Sequence, residues 1–116
     1  MGRAKELWDE LAGIITSGAA ERIPELYTAD AVYLEPFNPP HNGNLLIQAY
    51  LKDYLAGKDE RTVGVKRAVE DDAGAIIAVE WTLSYTSGGR RWNNLPRATV
   101  IEVGDKGMIV YHRDYQ

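Results

Sequence analysis

A chain of 116 residues with 45% hydrophobic and 26% charged residues has the make-up of an ordinary globular protein, and one domain over 1–116 is expected. The absence of cysteine excludes disulfides, thiolate catalysis and cysteine-ligated zinc. A net charge of -4 with no basic tract argues against nucleic acid as a partner.

The opening residues, Met1-Gly2-Arg3-Ala4-Lys5-Glu6, pass straight into an amphipathic pattern. There is no apolar signal-peptide core and no run long enough to span a membrane, so no membrane partner is expected and the default location is cytoplasmic. Ala4, Leu7, Trp8, Leu11, Ile14 and Ile15 recur at helical spacing and predict a first helix that Gly18 stops. A short second helix follows, with Ile23, Leu26 and Tyr27 on its buried side and Pro24 in its first turn. Residues 31–35 read as a strand broken at Pro36, and residues 37–43 as a stiff loop containing His41. Asn44 is placed to cap a third helix whose apolar face is Ile47, Tyr50, Leu51 and Tyr54.

The remainder predicts strands. Val63, Val65 and Val69 alternate in one, and Ile77, Val79, Trp81, Leu83 and Tyr85 in the next. Ser87-Gly88-Gly89 and Gly104-Asp105-Lys106-Gly107 are hairpin turns on either side of a strand over 92–103, which Pro96 interrupts. The last strand ends the chain. This order predicts an α+β fold, with about three helices covering one face of a curved antiparallel sheet and a pocket between the layers.

The last strand carries the chemistry. Side chains alternate along a strand, so Val110, His112 and Asp114 share one face and Ile109, Tyr111, Arg113 and Tyr115 the other. Parity alone leaves open which face is inside. If the histidine face is inside, a carboxylate lies in an apolar cavity, where desolvation raises its pKa toward neutrality. Glu35, before Pro36, is a second acid–base candidate, with Tyr33 on its face. Tyr33, Phe37, Trp81, Leu83, Trp92 and Val110 are the candidate pocket lining, and ordinary core packing explains such residues equally well. Glu80 has the outward parity, and Arg97, Thr99 and Ile101 are placed on the outer face, where they would meet a second sheet. Two distant histidines in no standard ligand spacing give no reason to expect a metal.

Two stretches carry a family resemblance. One runs from Gly18 through Leu26-Tyr27-Thr28-Ala29-Asp30-Ala31-Val32 to Glu35-Pro36, and then to Gly43 opening a helix. The other runs from Val103 to Tyr115 and contains Tyr111-His112-Arg113-Asp114. Together with the element order they make the chain resemble the nuclear transport factor 2-like superfamily, in particular its SnoaL-like branch of polyketide cyclases, ketosteroid isomerases and limonene epoxide hydrolases. The resemblance implies a cone of bent sheet wrapped around helices, commonly dimeric, with Asp114, His112 and Glu35 inside. Glu35-Pro36 falls where ketosteroid isomerases have an Asp-Pro base, while Leu11 and Ala98 fall where their oxyanion-hole groups stand. Asp114 matches the last-strand aspartate of the hydrolases and cyclases, and Val79 and Trp81 stand where the hydrolases have an Arg-x-Asp pair. The resemblance therefore implies cofactor-independent acid–base chemistry, of cyclase, isomerase or lyase type, on a small apolar, carbonyl-bearing or cyclic molecule. A non-catalytic binding or assembly domain of the same fold is the alternative.

Overall fold

The computed structural model describes residues 2–116. Helix α1 (Arg3–Ser17) buries Leu7, Trp8, Leu11 and Ile14 and ends at Gly18, whose left-handed φ of 80° lets its N–H reach the Ile14 carbonyl. Its start has no side-chain cap of its own. Instead Glu70, from a distant strand, accepts from the N–H groups of Gly2 (2.9 Å) and Lys5 (2.8 Å). A carboxylate at that end satisfies orphan donors and meets the positive pole of the helix.

A 3₁₀ turn (Ala20–Arg22) leads into α2 (Ile23–Leu26). Strand β1 (Tyr27–Leu34) follows directly, so the strand starts four residues earlier than the hydrophobic run suggests. The loop after it holds a two-residue strand, β2 (His41–Asn42), paired with β1. Helix α3 (Asn44–Leu55) begins after Gly43. Asn44 is its first residue and not its cap; its side chain reaches back to the Pro24 carbonyl at 3.5 Å.

Strands β3 (Asp59–Glu70), β4 (Ile76–Ser87), β5 (Arg90–Val103) and β6 (Ile109–Tyr115) complete a six-stranded sheet of order β2-β1-β6-β5-β4-β3. The expected α+β layering is present. The sheet is mixed and not all antiparallel, because β1 runs parallel to β6. That pairing brings the two stretches of the resemblance side by side, with Tyr33 opposite His112.

Helices pack on the face carrying Ile77, Val79, Trp81 and Leu83, all buried as the alternation predicts. Val65 stays in register with Trp81 but is exposed on the edge strand β3, and the register shift after it turns Val69 to the side of Ala78, where it too is exposed. Glu80 is outward and pairs with Arg67. Pro96 does not break β5. It lies beyond the reach of β6, whose pairing with β5 begins at Ala98, so a missing N–H is tolerated there.

Two bulges correct the parity reading. Trp92 faces the same side as Tyr85 and Leu95 the same side as Leu83, so one extra residue lies between them. Asn94, at φ 54°, takes up the kink, and its N–H bonds to the Ser84 hydroxyl at 2.9 Å. Arg97, Thr99 and Ile101 are thereby turned to the inner face, and Ala98, Val100 and Glu102 to the outer one. In β6 the pairs Val103–Ile109 and Glu102–Tyr111 leave Val110 as the extra residue. Ile109, fully buried, takes the inner place that parity assigns to Val110. Among the described residues, no helix is long and apolar enough to cross a membrane.

Candidate functional site

Asp114 stands near the end of β6 with Thr99 opposite it on β5. Its carboxylate accepts from three side chains. Thr99 Oγ1 (2.7 Å) and His112 Nε2 (2.8 Å) meet Oδ1, and the Tyr33 hydroxyl meets Oδ2. A carboxylate offers about four acceptor positions, so one on Oδ2 remains. Behind Thr99, Trp81 donates its indole N–H at 3.0 Å. Behind His112, Nδ1 lies 2.6 Å from the Tyr27 hydroxyl. Because a carboxylate only accepts, Nε2 carries the proton toward Asp114; in the neutral ring the Tyr27 hydroxyl then donates to Nδ1. His112 is 2% exposed and stacks on the Tyr33 ring, centroids 3.9 Å apart.

Burial alone would push the Asp114 carboxyl up, as the apolar-cavity expectation has it. The charge His112 carries when protonated and the hydrogen bonds from His112, Tyr33 and Thr99 outweigh that, and hold it below the usual carboxylate range. Asp114 thus rests as a stabilised carboxylate and not as a near-neutral acid. Tyr33 is shifted the other way, well upward, by burial first and then by the charge of Asp114. It stays a hydroxyl donor across the physiological range.

These groups face a cavity of about 30 Å³, lined further by Trp8, Leu11, Ile15, Tyr50, Tyr54 and Arg97. That is room for a water molecule, not for a substrate. The cavity shares Tyr50, Tyr54, Arg97 and Gln116 with a broad outer cleft of about 740 Å³, which is the size of a ligand site. The two form a funnel with those four residues at its neck.

Glu35 belongs to the cleft and does not meet Asp114. Its side chain is 2% exposed and accepts from the Phe37 N–H (2.8 Å), Asn38 Nδ2 (2.6 Å) and His41 Nε2 (3.0 Å). Burial raises its pKa, but those three bonds prevail and the net shift is downward. His41 stacks on Tyr50 at 4.1 Å, so the funnel carries two carboxylate–histidine pairs, with Tyr33 and Tyr50 between them. Among the described residues no three His, Cys, Asp or Glu side chains cluster as a metal would require.

The candidate lining divides. Tyr33 and Trp81 line the cavity. Phe37 is 75% exposed on the cleft rim. Leu83 is sealed in the core away from both spaces. Trp92 lies under the Arg90 guanidinium, 4.1 Å from its ring, outside the funnel. Val110 faces a separate groove with Thr28, Asp30 and Lys106. The residues that sequence reasoning missed are Tyr27, Thr99, Tyr50, Tyr54 and Arg97. For Thr99 and Arg97 the available signal was Asn93-Asn94, since asparagine tolerates the left-handed backbone of a bulge.

A family model described as a SnoaL-like domain matches residues 8–112. No curated protein matches the chain. Among solved structures, a steroid delta-isomerase from Pseudomonas aeruginosa is 23% identical, with a TM-score of 0.73 over 98% of this chain and 79% of the other. An LEH-like epoxide hydrolase from Mycobacterium tuberculosis is 22% identical, with a TM-score of 0.78 over 97% and 81%. A protein with a ketosteroid isomerase-like fold from Catenulispora acidiphila, in complex with trimethylamine, is 18% identical, with a TM-score of 0.81 over 96% and 85%. At these identities the likeness is one of fold.

Proposed function

The chain belongs to the SnoaL-like domain family, and from that premise we propose that it is a cofactor-independent acid–base enzyme. It acts as a cyclase, isomerase or lyase on a small, mostly apolar, carbonyl-bearing or cyclic molecule. The observation that carries this reading is a carboxylate with three donors, facing a cavity walled by aromatic rings.

The body of the substrate occupies the cleft and its reacting end enters the neck. Asp114 takes the proton on the open position of Oδ2. The three donors make it a weak base at rest, and one of them can leave. When Tyr33 turns its hydroxyl from Asp114 to the substrate carbonyl, the carboxylate loses a stabilising bond and becomes more basic. The same hydroxyl then supports the negative charge developing on the substrate oxygen. His112, held by Tyr27, fixes the orientation of Asp114. A positioned acid–base group contributes roughly 10²–10⁴-fold.

The experiment is deuterium exchange at the α-carbon of a panel of small cyclic ketones, followed by NMR. Catalysed exchange is expected with the native protein, and about 10²–10⁴-fold less in Asp114→Asn. Exchange that is equally fast in the variant removes Asp114 from the chemistry.

A binding role is the second reading. The small volume beside Asp114 and its near-complete hydrogen bonding favour it, because such a network holds still as readily as it reacts. Dimerisation belongs to the proposal as well. Val69, Ala78 and Val100 lie in register across the outer face, beside Arg67, Glu80, Ala98 and Tyr115. A second copy would cover that apolar row.

A further inference from the structure

The neck of the funnel holds a charge the mechanism does not use. Arg97 lines both cavity and cleft. Its Nη1 donates to the Pro96 carbonyl at 2.9 Å and its Nη2 makes a long contact of 3.5 Å with the Tyr54 hydroxyl. Its Nε is buried and has no partner, and it is the one buried side-chain polar atom so left among the described residues. Native proteins seldom leave a buried donor unpaired, so the atom calls for an explanation.

Lys58 lies in the same cleft, its ammonium 4.3 Å from the centre of the Tyr54 ring. Among the described residues neither Lys58 nor Arg97 forms an ion pair with a carboxylate. Glu35, the buried acid of the cleft, is committed to Phe37, Asn38 and His41. Burial first, and then the charges of Arg97 and Arg61, push the Lys58 pKa down, against a smaller opposing pull from Asp53. Asp53 lines the same cleft but pairs with neither Lys58 nor Arg97. Two neighbouring cations that no carboxylate pairs, one with an orphaned donor, suit an anion that enters from outside.

We propose that the funnel takes a small organic acid, an aromatic or alicyclic carboxylate, whose anionic group is bound by Arg97 with Lys58. The proposal rests on the enzyme reading of the same site and names its substrate class. The planar guanidinium matches a carboxylate in a forked geometry, and Tyr50 and Tyr54 offer ring faces to an apolar body. Arg97 and Thr99 are next neighbours on the inner face of β5, so about 7 Å of strand separates the anion site from the Asp114 pair. That span fits an acid whose reacting carbon lies a few bonds from its carboxylate. Arg97 also screens the repulsion between that carboxylate and Asp114.

The test compares phenylacetate with neutral phenylacetamide, titrated at low salt and read by tryptophan fluorescence. The native protein should bind the acid at least 10-fold more tightly, and added salt should erode the difference. Arg97→Gln should abolish most of the preference and Lys58→Gln part of it, while amide binding persists in both and reports an intact cleft. Equal affinity for acid and amide, no saturable binding of the acid, or a preference that survives Arg97→Gln overturns the proposal. Loss of the acid preference with Asp114-dependent exchange retained would refute the substrate class alone. An acid preference without exchange would keep the anion site and refute the catalytic reading.

Discussion

Three donors on one carboxylate make Asp114 sensitive to acid as well as central to the site. Its folded-state pKa lies below the unfolded value, so its contribution to stability is complete above the ordinary aspartate pKa of about 3.9. That contribution falls away as the pH drops from there through the folded pKa. Glu35 is shifted in the same direction and adds to the same acid limb. Urea denaturation from pH 6 to pH 3 should therefore show a steep loss of stability in the native protein and a shallower one in Asp114→Asn. Parallel slopes would mean that the hydrogen bonds around Asp114 do not favour its charged form.

At the scale of elements, the start of α1 depends on a residue 68 positions away from Gly2, which precedes it. Glu70→Ala removes the acceptor for both Gly2 and Lys5 and should cost about 0.5–2 kcal/mol, as the loss of a helix cap does. Glu70→Gln, which keeps an acceptor oxygen but not the charge, should cost less. Both are measurable by thermal or urea denaturation, and an unaffected Glu70→Ala would show that the helix start is held by packing alone.

The same scale explains what could be read from the sequence. Helical periodicity in Leu7, Trp8, Leu11 and Ile14 and alternation in Ile77, Val79, Trp81 and Leu83 are long and regular, and they led to the right faces. His112 and Asp114 are on the inner face of β6, the side the resemblance implies. Thr99, Arg97 and Val110 were misplaced because one extra residue reverses the parity of everything beyond it. Tyr27 was hidden for another reason. It was assigned to the end of a helix, whereas its hydroxyl reaches a histidine 85 residues later through a parallel pairing that local pattern does not encode.

At the scale of the whole molecule the helices and the sheet face enclose a funnel, and the opposite face carries an apolar row. Val69, 63% exposed, with Ala78 and Val100 should lie at the interface of the proposed homodimer. Light scattering should give twice the 12.9 kDa chain mass. Val100→Glu should shift the protein to the monomer, while a monomer at high concentration in the native protein would argue against a copy on this face.

In the proposed mechanism Asp114 rests as a stabilised carboxylate whose basicity is released when Tyr33 lets go of it. The direct measurement is the titration of the Asp114 carboxyl carbon by NMR, in the native protein and in Tyr33→Phe. The native midpoint should lie below the ordinary value of about 3.9, and that of the variant should be higher. A native midpoint near neutrality, or one that Tyr33→Phe leaves in place, would contradict the mechanism.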